Sequence, residues 1–405
     1  GDAALVDEKV RNILRIIFRT SMNRERPYGS FATEEHAEVS RTIAENGIVL
    51  LKNENNVLPL VPESVNKILV VGENADYMMT KGGGSSSLKV KYEIKPLEGL
   101  RKLYGEDKIQ YMKGYTHRKD EKVESLDELR KAASEADAVI FIGGLNKAAH
   151  QDCEDSDRYG LELPYAQDKT IEALAAVNPN LTVVIVSGNA VAMPWVDKVN
   201  GIMETWFSGS QTGHALADVL FGKVNPSGKL PFTFPVKLED NAAHALNAYD
   251  PEDLSVEYKE GIFVGYRWAE KEQIKPLFAF GHGLSYTTFG YGEAKAAKAT
   301  MKENGTLAVS VDVTNTGDVA GKEVVQLYIG DNEASVARPV KELKGFRKIA
   351  LEPGQKQTVT FEITPDMLKF FDADKHEWVL EKGKFTAYIC AASDDVRTQV
   401  EFEVI

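Results

Sequence analysis

The sequence has 405 residues, of which 43% are hydrophobic and 27% charged, and these values are typical of a globular protein with two or three domains. The formal net charge of −13 comes without a block of basic residues, which argues against a nucleic-acid-binding protein because such proteins need a concentrated positive surface. The longest apolar runs are far shorter than the roughly 20 residues of a transmembrane helix, so we expect no membrane partner.

The first predicted element is an amphipathic helix over residues 5 to 18, where apolar side chains recur at helical spacing. Acidic residues interrupt this run, so it is not a signal peptide. Because the chain opens inside a helical pattern, we expect it to be part of a longer polypeptide. Residues 21 to 30 indicate a linker, and Thr33 is placed to cap a second helix that continues to Asn46.

From Lys67 onward, runs typical of strands alternate with runs typical of helices. This alternation predicts an α/β domain over residues 31 to 235, an α/β sandwich with a mostly parallel sheet covered by helices on both faces. The strand runs are KILVVGENA, KIQYMKGY, ADAVIFIGGLN, LTVVIVSGN and NGIMETWF, and the helical runs are PLEGLRKLYG, LDELRKAASEA, QDKTIEALAAVN and GSQTGHALADVLFG.

The second half of the chain has a different pattern. Residues 236 to 300 are irregular and rich in aromatic side chains, and such a segment is too apolar for a free linker. We expect it to pack across a domain boundary. Residues 301 to 405 contain the alternating runs LAVSVDVTNTG, EVVQLYI, TVTFEIT and GKFTAYICAA, separated by turn residues. This pattern predicts an antiparallel β-sandwich of about 100 residues.

The stretch from Lys147 to Gln167 is the main candidate for a functional site. It follows the buried strand run AVIFIGG, and open parallel α/β sheets bind ligands beyond the carboxyl ends of their strands. A carboxyl group such as Glu154, in a partly apolar cleft, can keep a raised pKa and act as a general acid. Arg158 and the neighbouring aspartates, including Asp152, can orient that group or bind hydroxyl groups. The other interpretation is a solvated acidic loop, with or without calcium.

Three further features leave more than one interpretation open. KGGGSSS, at residues 81 to 87, lacks the order of a phosphate-binding P-loop, which leaves a flexible surface loop or a glycine-rich lid that approaches a polar ligand. His282 lies next to glycines, but the chain has no G-x-S-x-G motif, so we interpret this histidine as structural. His150, in the acidic loop, is either simply exposed to solvent or part of the site.

The sequence gives no indication of a cofactor or a metal ion. Its seven histidines are scattered without ligand spacing, so we predict no zinc site. The two cysteines, Cys153 and Cys390, fall in different predicted domains, and they give neither a disulfide framework nor a metal-ligand spacing.

Nearly the whole chain resembles the C-terminal portion of glycoside hydrolase family 3, the family of β-glucosidases and β-xylosidases. The most specific stretches are NPSGKLPFTFP and FGHGLSYTTF. The others, in chain order, include ENGIVLLKNENNVLPL, GENADYMMTKGGGSSS, CEDSDRYGLELPYAQ, SGNAVAMPW, YKEGIFVGYRW, VTNTGDVAGKEVVQLYI and PVKELKGFRKIALEPG.

This resemblance implies a (β/α)8 barrel, then an α/β sandwich, then a fibronectin type III-like domain. It also implies a retaining mechanism with an Asp nucleophile in a Ser-Asp-Trp context on the barrel and a Glu acid/base in an E-G-x-D-R context on the second domain. Here the second context reads EDSDR, so Glu154 takes the acid/base role and Asp155 replaces the usual glycine. KGGGSSS matches the family's glycine-serine loop beside the active site. The substrate-binding candidates are therefore Arg158, Asp152, His150 and Ser85.

No Ser-Asp-Trp occurs in these 405 residues, and residues 1 to 30 resemble the last helix of a barrel and its exit linker. The resemblance implies part of a retaining exo-acting β-glycosidase that hydrolyses terminal non-reducing β-D-glucosyl residues. Its implied partners are a β-linked oligosaccharide or glycoside and the missing barrel. We expect this chain alone to be inactive, and the parent enzyme to be periplasmic or secreted.

The barrel can also be a separate polypeptide of a natural two-chain enzyme, and two other functions stay open at this point. The first is a non-catalytic module that binds carbohydrate or mediates assembly, with the fibronectin-like domain as a spacer or partner surface. The second is a β-xylosidase, because the resemblance covers both enzyme types and the sugar specificity of such enzymes is largely set in the barrel.

Overall fold

The computed structural model describes residues 2–154, 156–249 and 255–405. The chain divides into two compact units, Gly1–Val39 and Ser40–Ile405. The first unit contains helix α1 (Ala3–Arg19), which begins where the Asp2 side chain accepts the Ala4 N–H at 3.0 Å. Helix α2 (Glu34–Gly47) begins at Thr33, whose hydroxyl accepts the His36 N–H at 3.3 Å. Both helices and the Thr33 cap were predicted from the sequence, and all three are confirmed.

The next part of the chain is an alternation of strands and helices. These elements are β1 (Val49–Asn53), β2 (Ile68–Val71), α3 (Pro96–Tyr104), β3 (Ile109–Met112), α4 (Leu126–Ser134), β4 (Ala138–Gly144), α5 (Gln167–Ala175), β5 (Leu181–Val186), β6 (Gly201–Glu204) and α6 (Thr212–Leu220). They form one six-stranded sheet in the order β1-β6-β5-β4-β2-β3, in which only the edge strand β1 is antiparallel.

Both faces of this sheet are buried, which explains why its central strands are continuous apolar runs. In β4, Ile140 and Ile142 face the core on one side, where helices α3 and α6 pack. Val139 and Phe141 face the opposite core, where α4 and α5 pack. The predicted α/β sandwich with a mostly parallel sheet is therefore confirmed. No helix in the described part of the chain is long and apolar enough to cross a bilayer.

The C-terminal part is an antiparallel β-sandwich, as predicted. Its elements are β7 (Phe289–Tyr291), β8 (Lys295–Ala296), β9 (Thr300–Met301), β10 (Leu307–Asn315), β11 (Gly321–Asp331), β12 (Glu342–Leu351), β13 (Lys356–Ile363), α9 (Pro365–Leu368), β14 (Phe370–Asp372), β15 (Glu377–Val379), β16 (Gly383–Ala392) and β17 (Asp395–Val404). One sheet has the order β13-β10-β7 with β8 beside β10, and the other has the order β12-β11-β16-β17-β9, in which β9 alone pairs in parallel.

The aromatic segment between these domains contains two short helices, α7 (Ala242–Ala245) and α8 (Tyr266–Lys271). It packs on both neighbours. The Leu284 N–H donates to the Leu50 carbonyl of β1 at 2.8 Å, and the Tyr266 ring meets the Tyr328 ring of β11 at 5.7 Å. His282 is half-buried, and its Nε2 donates to the Leu51 carbonyl at 2.9 Å. Its predicted structural role is confirmed.

Candidate functional site

The candidate site lies at the carboxyl-terminal edge of the parallel sheet. Strands β2, β4 and β5 end at Val71, Gly144 and Val186, and because they are parallel their ends lie at the same edge. The chain segments that follow these strands carry the glycine-serine loop (81–87), the acidic loop (147–167) and a short turn, residues 187–190. Three stretches that are distant in sequence can therefore meet at this edge.

The glycine-serine loop contacts the acidic loop directly. Ser85 lies in a single 3-10 turn, and its backbone N–H donates a hydrogen bond to Oε2 of Glu154. The preceding residue, Gly84, has a φ of +58°, and a Cβ there would overlap the Glu154 side chain. Glycine is needed at this position both for the left-handed backbone and for the close approach. Glu154 and Ser85 are both exposed to solvent. Asp155, the next residue, lies outside the described residues.

The protonation behaviour of Glu154 differs from the expectation. The Ser85 N–H, followed by the Ser85 side chain, lowers the pKa of the Glu154 carboxyl below its ordinary value. The expected raised pKa is therefore wrong for this chain. The physical reason is that hydrogen bonds to a carboxylate favour its charged form, whereas the apolar burial that would oppose them is small at an exposed side chain.

A second group of predicted residues is held by the turn after β5. The Gly188 N–H donates to Oδ2 of Asp152. The Arg158 guanidinium donates from Nη1 to Oδ1 of Asn189 and to the Ala190 carbonyl, the latter at 2.7 Å. Burial lowers the pKa of Arg158, and the nearby negative charge of Asp152 opposes that shift. This turn therefore fixes the residues on both sides of Glu154 in the sequence.

His150 has both ring nitrogens occupied within the acidic loop. Its Nδ1 lies 3.0 Å from the Asp157 carbonyl oxygen, which can only accept, so Nδ1 carries the proton. In the neutral ring Nε2 is then an acceptor, and the Tyr159 hydroxyl donates to it at 3.1 Å. The two rings also stack, with centroids 4.4 Å apart. His150 and Tyr159 thus present a ring surface rather than a free nitrogen.

The acidic loop borders an open cleft of about 720 Å³. His150, Asp152 and Arg158 all line this cleft, whereas Glu154 and Ser85 are not among its lining residues. The structure therefore brings Ser85 together with Glu154, and Asp152 and Arg158 together with the turn after β5. His150 instead contacts Asp157 and Tyr159 of its own loop. The cleft is lined by His150, Gln151, Asp152, Cys153, Ser156, Asp157, Arg158, Tyr159, Gly160, Leu161, Asn189, Leu238, His244 and Tyr249.

Two residues at this edge were not predicted from the sequence. Asn189 holds Arg158, and Glu204, at the end of β6, is a fully buried carboxyl. Burial raises the pKa of Glu204 to about 8. The signal that could have identified both is their position, since each stands at or just beyond the end of a buried strand run, as Glu154 does.

Comparison with known proteins matches the two parts of the chain separately. The model described as Glycosyl hydrolase family 3 C-terminal domain matches residues 48–286, and a fibronectin type III-like domain model matches residues 323–393. The resemblance drawn from the sequence motifs is therefore confirmed.

Relatives of the chain carry the names of glycosidases. A β-glucosidase of Bacteroides ovatus is 50% identical over 99% of this chain and 56% of its own length. A β-xylosidase of Formosa agariphila is 39% identical over 90% of this chain and 50% of its own length. The crystal structure of a Bifidobacterium adolescentis β-glucosidase superposes with a TM-score of 0.90 at 32% identity, over 100% of this chain and 58% of that one. The chain spans about half the length of the curated relatives it matches.

Proposed function

This chain belongs to glycoside hydrolase family 3, and from that premise we propose that Glu154 is the general acid/base of a retaining β-glycosidase. The observation that carries the proposal is the hydrogen bond from the Ser85 N–H to Glu154, which joins the two loops whose motifs match the family's site. Glu154 is exposed there, so a substrate oxygen can reach it. A general acid must be within hydrogen-bond reach of the atom that it protonates.

The lowered pKa of Glu154 is compatible with a mechanism in which a second carboxyl group raises it again. Retaining glycosidases place a nucleophilic carboxylate about 5 to 5.5 Å from the acid/base. A negative charge at that distance raises the pKa of Glu154, so that the group is protonated when the glycosidic oxygen leaves. Formation of the covalent intermediate removes that charge, and the pKa falls again. Glu154 is then ionised, as the base that activates water in the second step must be.

The nucleophile, in this proposal, lies on a polypeptide segment other than these 405 residues. Its Ser-Asp-Trp context does not occur in the sequence. An acid/base group contributes roughly 10² to 10⁴ in rate, but it cannot form the glycosyl-enzyme intermediate by itself. We therefore expect no glycoside hydrolysis by this chain alone.

The proposed substrate is a glycoside with a terminal non-reducing β-D-glucosyl residue. The relative with 50% identity is called a β-glucosidase, which favours glucose, and the relative called a β-xylosidase is more distant at 39%. Arg158 lines the cleft, and its charged guanidinium is the proposed donor for a sugar hydroxyl. Ser85 and Asp152 supply further polar groups, and the stacked His150 and Tyr159 rings supply an apolar surface for a sugar face.

A chromogenic assay tests this function. The 405-residue chain and the full-length gene product in which these residues occur are assayed with nitrophenyl β-D-glucoside and nitrophenyl β-D-xyloside. We expect turnover by the gene product alone, with a higher kcat/KM for the glucoside. Glu154→Gln should lower that turnover by about 10²-fold or more, whereas Glu362→Gln, an exposed carboxyl on β13, should not change it. Turnover by the 405-residue chain that disappears in Glu154→Gln would contradict the assignment of the nucleophile to another segment.

A further inference from the structure

Glu204 is a buried carboxyl group at the same edge of the sheet as Glu154. It ends strand β6, and none of its surface is exposed. Its Oε1 accepts the backbone N–H of Trp206 at 2.8 Å and that of Ser187 at 3.3 Å. Its Oε2 lies 3.0 Å from the hydroxyl oxygen of Ser187, the first residue after β5. Glu204 therefore connects the ends of two neighbouring strands.

A count of protons shows which group donates in the contact between Glu204 and Ser187. The Ser187 hydroxyl has one proton, and its oxygen also lies 2.8 Å from the carbonyl oxygen of Asn189. A carbonyl can only accept, so Ser187 donates to Asn189. The Glu204 contact is then a hydrogen bond only if the carboxyl group donates to Ser187, which requires a neutral carboxylic acid. Burial favours the same state, since it raises the pKa of Glu204 to about 8.

The groups that face Glu204 are uncharged. Val49 of β1 and Ile185 of β5 are its partners across the sheet, and Ser187 and Trp206 make its hydrogen bonds. Within residues 2–154, 156–249 and 255–405, Glu204 takes part in no ion pair. Among the described residues, the charged side chains Asp152 and Arg158 of the acidic loop do not contact Glu204 and are connected to it only through the turn after β5.

That coupling runs through the turn at residues 187–190. The Ser187 hydroxyl donates to the Asn189 carbonyl, and the Gly188 N–H donates to the Asp152 carboxylate. Asn189 Oδ1 in turn accepts from the Arg158 guanidinium. We propose that Glu204, as a neutral acid, is a positioning residue that fixes this turn and through it the acidic loop, an inference that rests on the proposed role of Glu154 in the reaction. Ionised Glu204 cannot donate to Ser187. The Ser187 proton then turns to the carboxylate, the Asn189 carbonyl loses its donor, and the turn loosens.

Two substitutions separate positioning from a general structural role. In Glu204→Gln the amide nitrogen can still donate to Ser187 and the amide oxygen can still accept from Trp206, but the group no longer titrates. In Glu204→Ala these partners lose their bonds. Glu362→Gln is the matched control, because Glu362 is exposed on β13 in the fibronectin-like domain.

Cys153 reports on the acidic loop without any need for activity. It is half-buried beside Gly83 and next to Asp152 and Glu154, whereas Cys390 is fully buried in the other domain and reports unfolding. Thiol labelling is measured at several pH values in the wild-type chain and in Glu204→Gln. We expect equal Cys153 rates near neutral pH and a several-fold faster wild-type rate above about pH 8, while Cys390 stays protected. Equal rates at every pH would overturn the inference.

The second measurement uses the full-length gene product and a β-glucoside substrate. Glu154 must be protonated to act as the acid, so kcat/KM should fall at alkaline pH as this one proton is lost. Above about pH 8 the loss of the Glu204 proton should make the fall in kcat/KM with pH steeper, as expected for two protons. Glu204→Gln should keep the wild-type kcat/KM at neutral pH and show only the one-proton fall at alkaline pH. The kcat/KM of Glu204→Ala should be lower by about tenfold or more at all pH values. If kcat/KM of Glu204→Gln falls at high pH just as it does in the wild type, the inference is overturned. This comparison decides the test even if Glu204→Ala fails to fold, which labelling of Cys390 would show. If Glu154→Gln does not lower turnover but the labelling rate of Cys153 still differs between wild type and Glu204→Gln above about pH 8, only the proposed function is overturned.

Discussion

The backbone N–H of Ser85 donates a hydrogen bond to the carboxylate of Glu154, and this contact joins the glycine-serine loop to the acidic loop. The Glu154 side chain is exposed to solvent, and the bond lowers the pKa of that carboxyl. The bond thus positions the proposed acid/base and favours its charged form. The conformation of one neighbouring residue, Gly84, is what allows the two loops to approach.

Gly84→Ala should displace Glu154. An added Cβ would overlap the Glu154 side chain, and the φ of +58° disfavours alanine by about 1–2 kcal/mol. Gly261→Ala is the matched control, because Gly261 has a φ of +57° and an added Cβ there meets nothing within 4 Å. Both variants should lose a similar unfolding free energy in urea. Only Gly84→Ala should lower the kcat/KM of the gene product, by about 10²-fold, as expected for an acid moved by about 1 Å.

The comparison of these two glycine variants has a clear negative outcome. Equal activities for Gly84→Ala and Gly261→Ala, at equal stability, would show that the contact between Gly84 and Glu154 does not matter for the reaction.

Ser85→Ala should raise the pKa of Glu154 toward its ordinary value without restoring it fully. The backbone N–H, which is the larger cause of the lowered pKa, remains in this variant, and only the side-chain contribution is lost. A carboxyl-carbon NMR titration of Glu154 in the 405-residue chain measures this directly. Ser87→Ala, in the same loop, is the control and should leave the titration unchanged. A Glu154 midpoint above the ordinary value in the wild-type chain would contradict the described hydrogen bond.

Glu204→Gln should change how the stability of the chain depends on pH. The folded-state pKa of Glu204 is raised to about 8 from an ordinary value of 4.5. The neutral acid therefore contributes stability that is fully present below about pH 4.5 and is lost as the pH rises through about 8. Glutamine does not titrate, so the wild-type free energy of unfolding should fall relative to that of Glu204→Gln by up to about 1.4 kcal/mol per pH unit in this window.

Urea unfolding of both proteins at about pH 5, 7 and 9 measures that difference. Glu362→Gln should run parallel to the wild type at each pH. A constant difference between Glu204→Gln and the wild type across this range would mean that Glu204 has no raised pKa in the folded chain.

Arg158→Lys should destabilise the acidic loop although the charge is kept. The guanidinium reaches both Asn189 Oδ1 and the Ala190 carbonyl from a half-buried position, and an ammonium group cannot reproduce that planar geometry. We expect the free energy of unfolding of the α/β domain to fall by about 1–3 kcal/mol and Cys153 to be labelled faster. Arg130→Lys, at an exposed pair with Asp127 on α4, should change neither quantity. Identical behaviour of the two variants would contradict the anchoring role of Arg158.

The parts of this structure that sequence reasoning predicted share one property, which is a strong periodic signal. The continuous apolar run of β4 and the alternation in β10 gave their strands directly, and the acidic loop after β4 led to Glu154. Strand β12 was missed because most of its positions are partly or fully exposed and its polar residues obscure the alternation. Strand β17 was missed although its sequence alternates from Asp395 to Val404, so its pattern was readable. Secondary structure is readable where one or both faces are buried.

The chemistry of the site was less readable than its location. The expected raised pKa of Glu154 was wrong because its hydrogen-bond donor, Ser85, lies on a loop that is distant in the sequence. Glu204 and Asn189 were missed for the same reason, since their partners Ser187 and Arg158 come from other segments. A pKa depends on these tertiary contacts, which residue spacing does not encode.

The role of Glu154 is tested most directly by comparing how much activity its removal costs on substrates with different leaving groups. Wild type and Glu154→Ala forms of the full-length gene product are compared on dinitrophenyl β-D-glucoside, whose leaving group needs little protonation, and on cellobiose, whose leaving group needs a proton. We expect the loss in kcat/KM on cellobiose to exceed the loss on the aryl glucoside by about 10²-fold or more. Equal losses on the two substrates would contradict the assignment of Glu154 as the general acid.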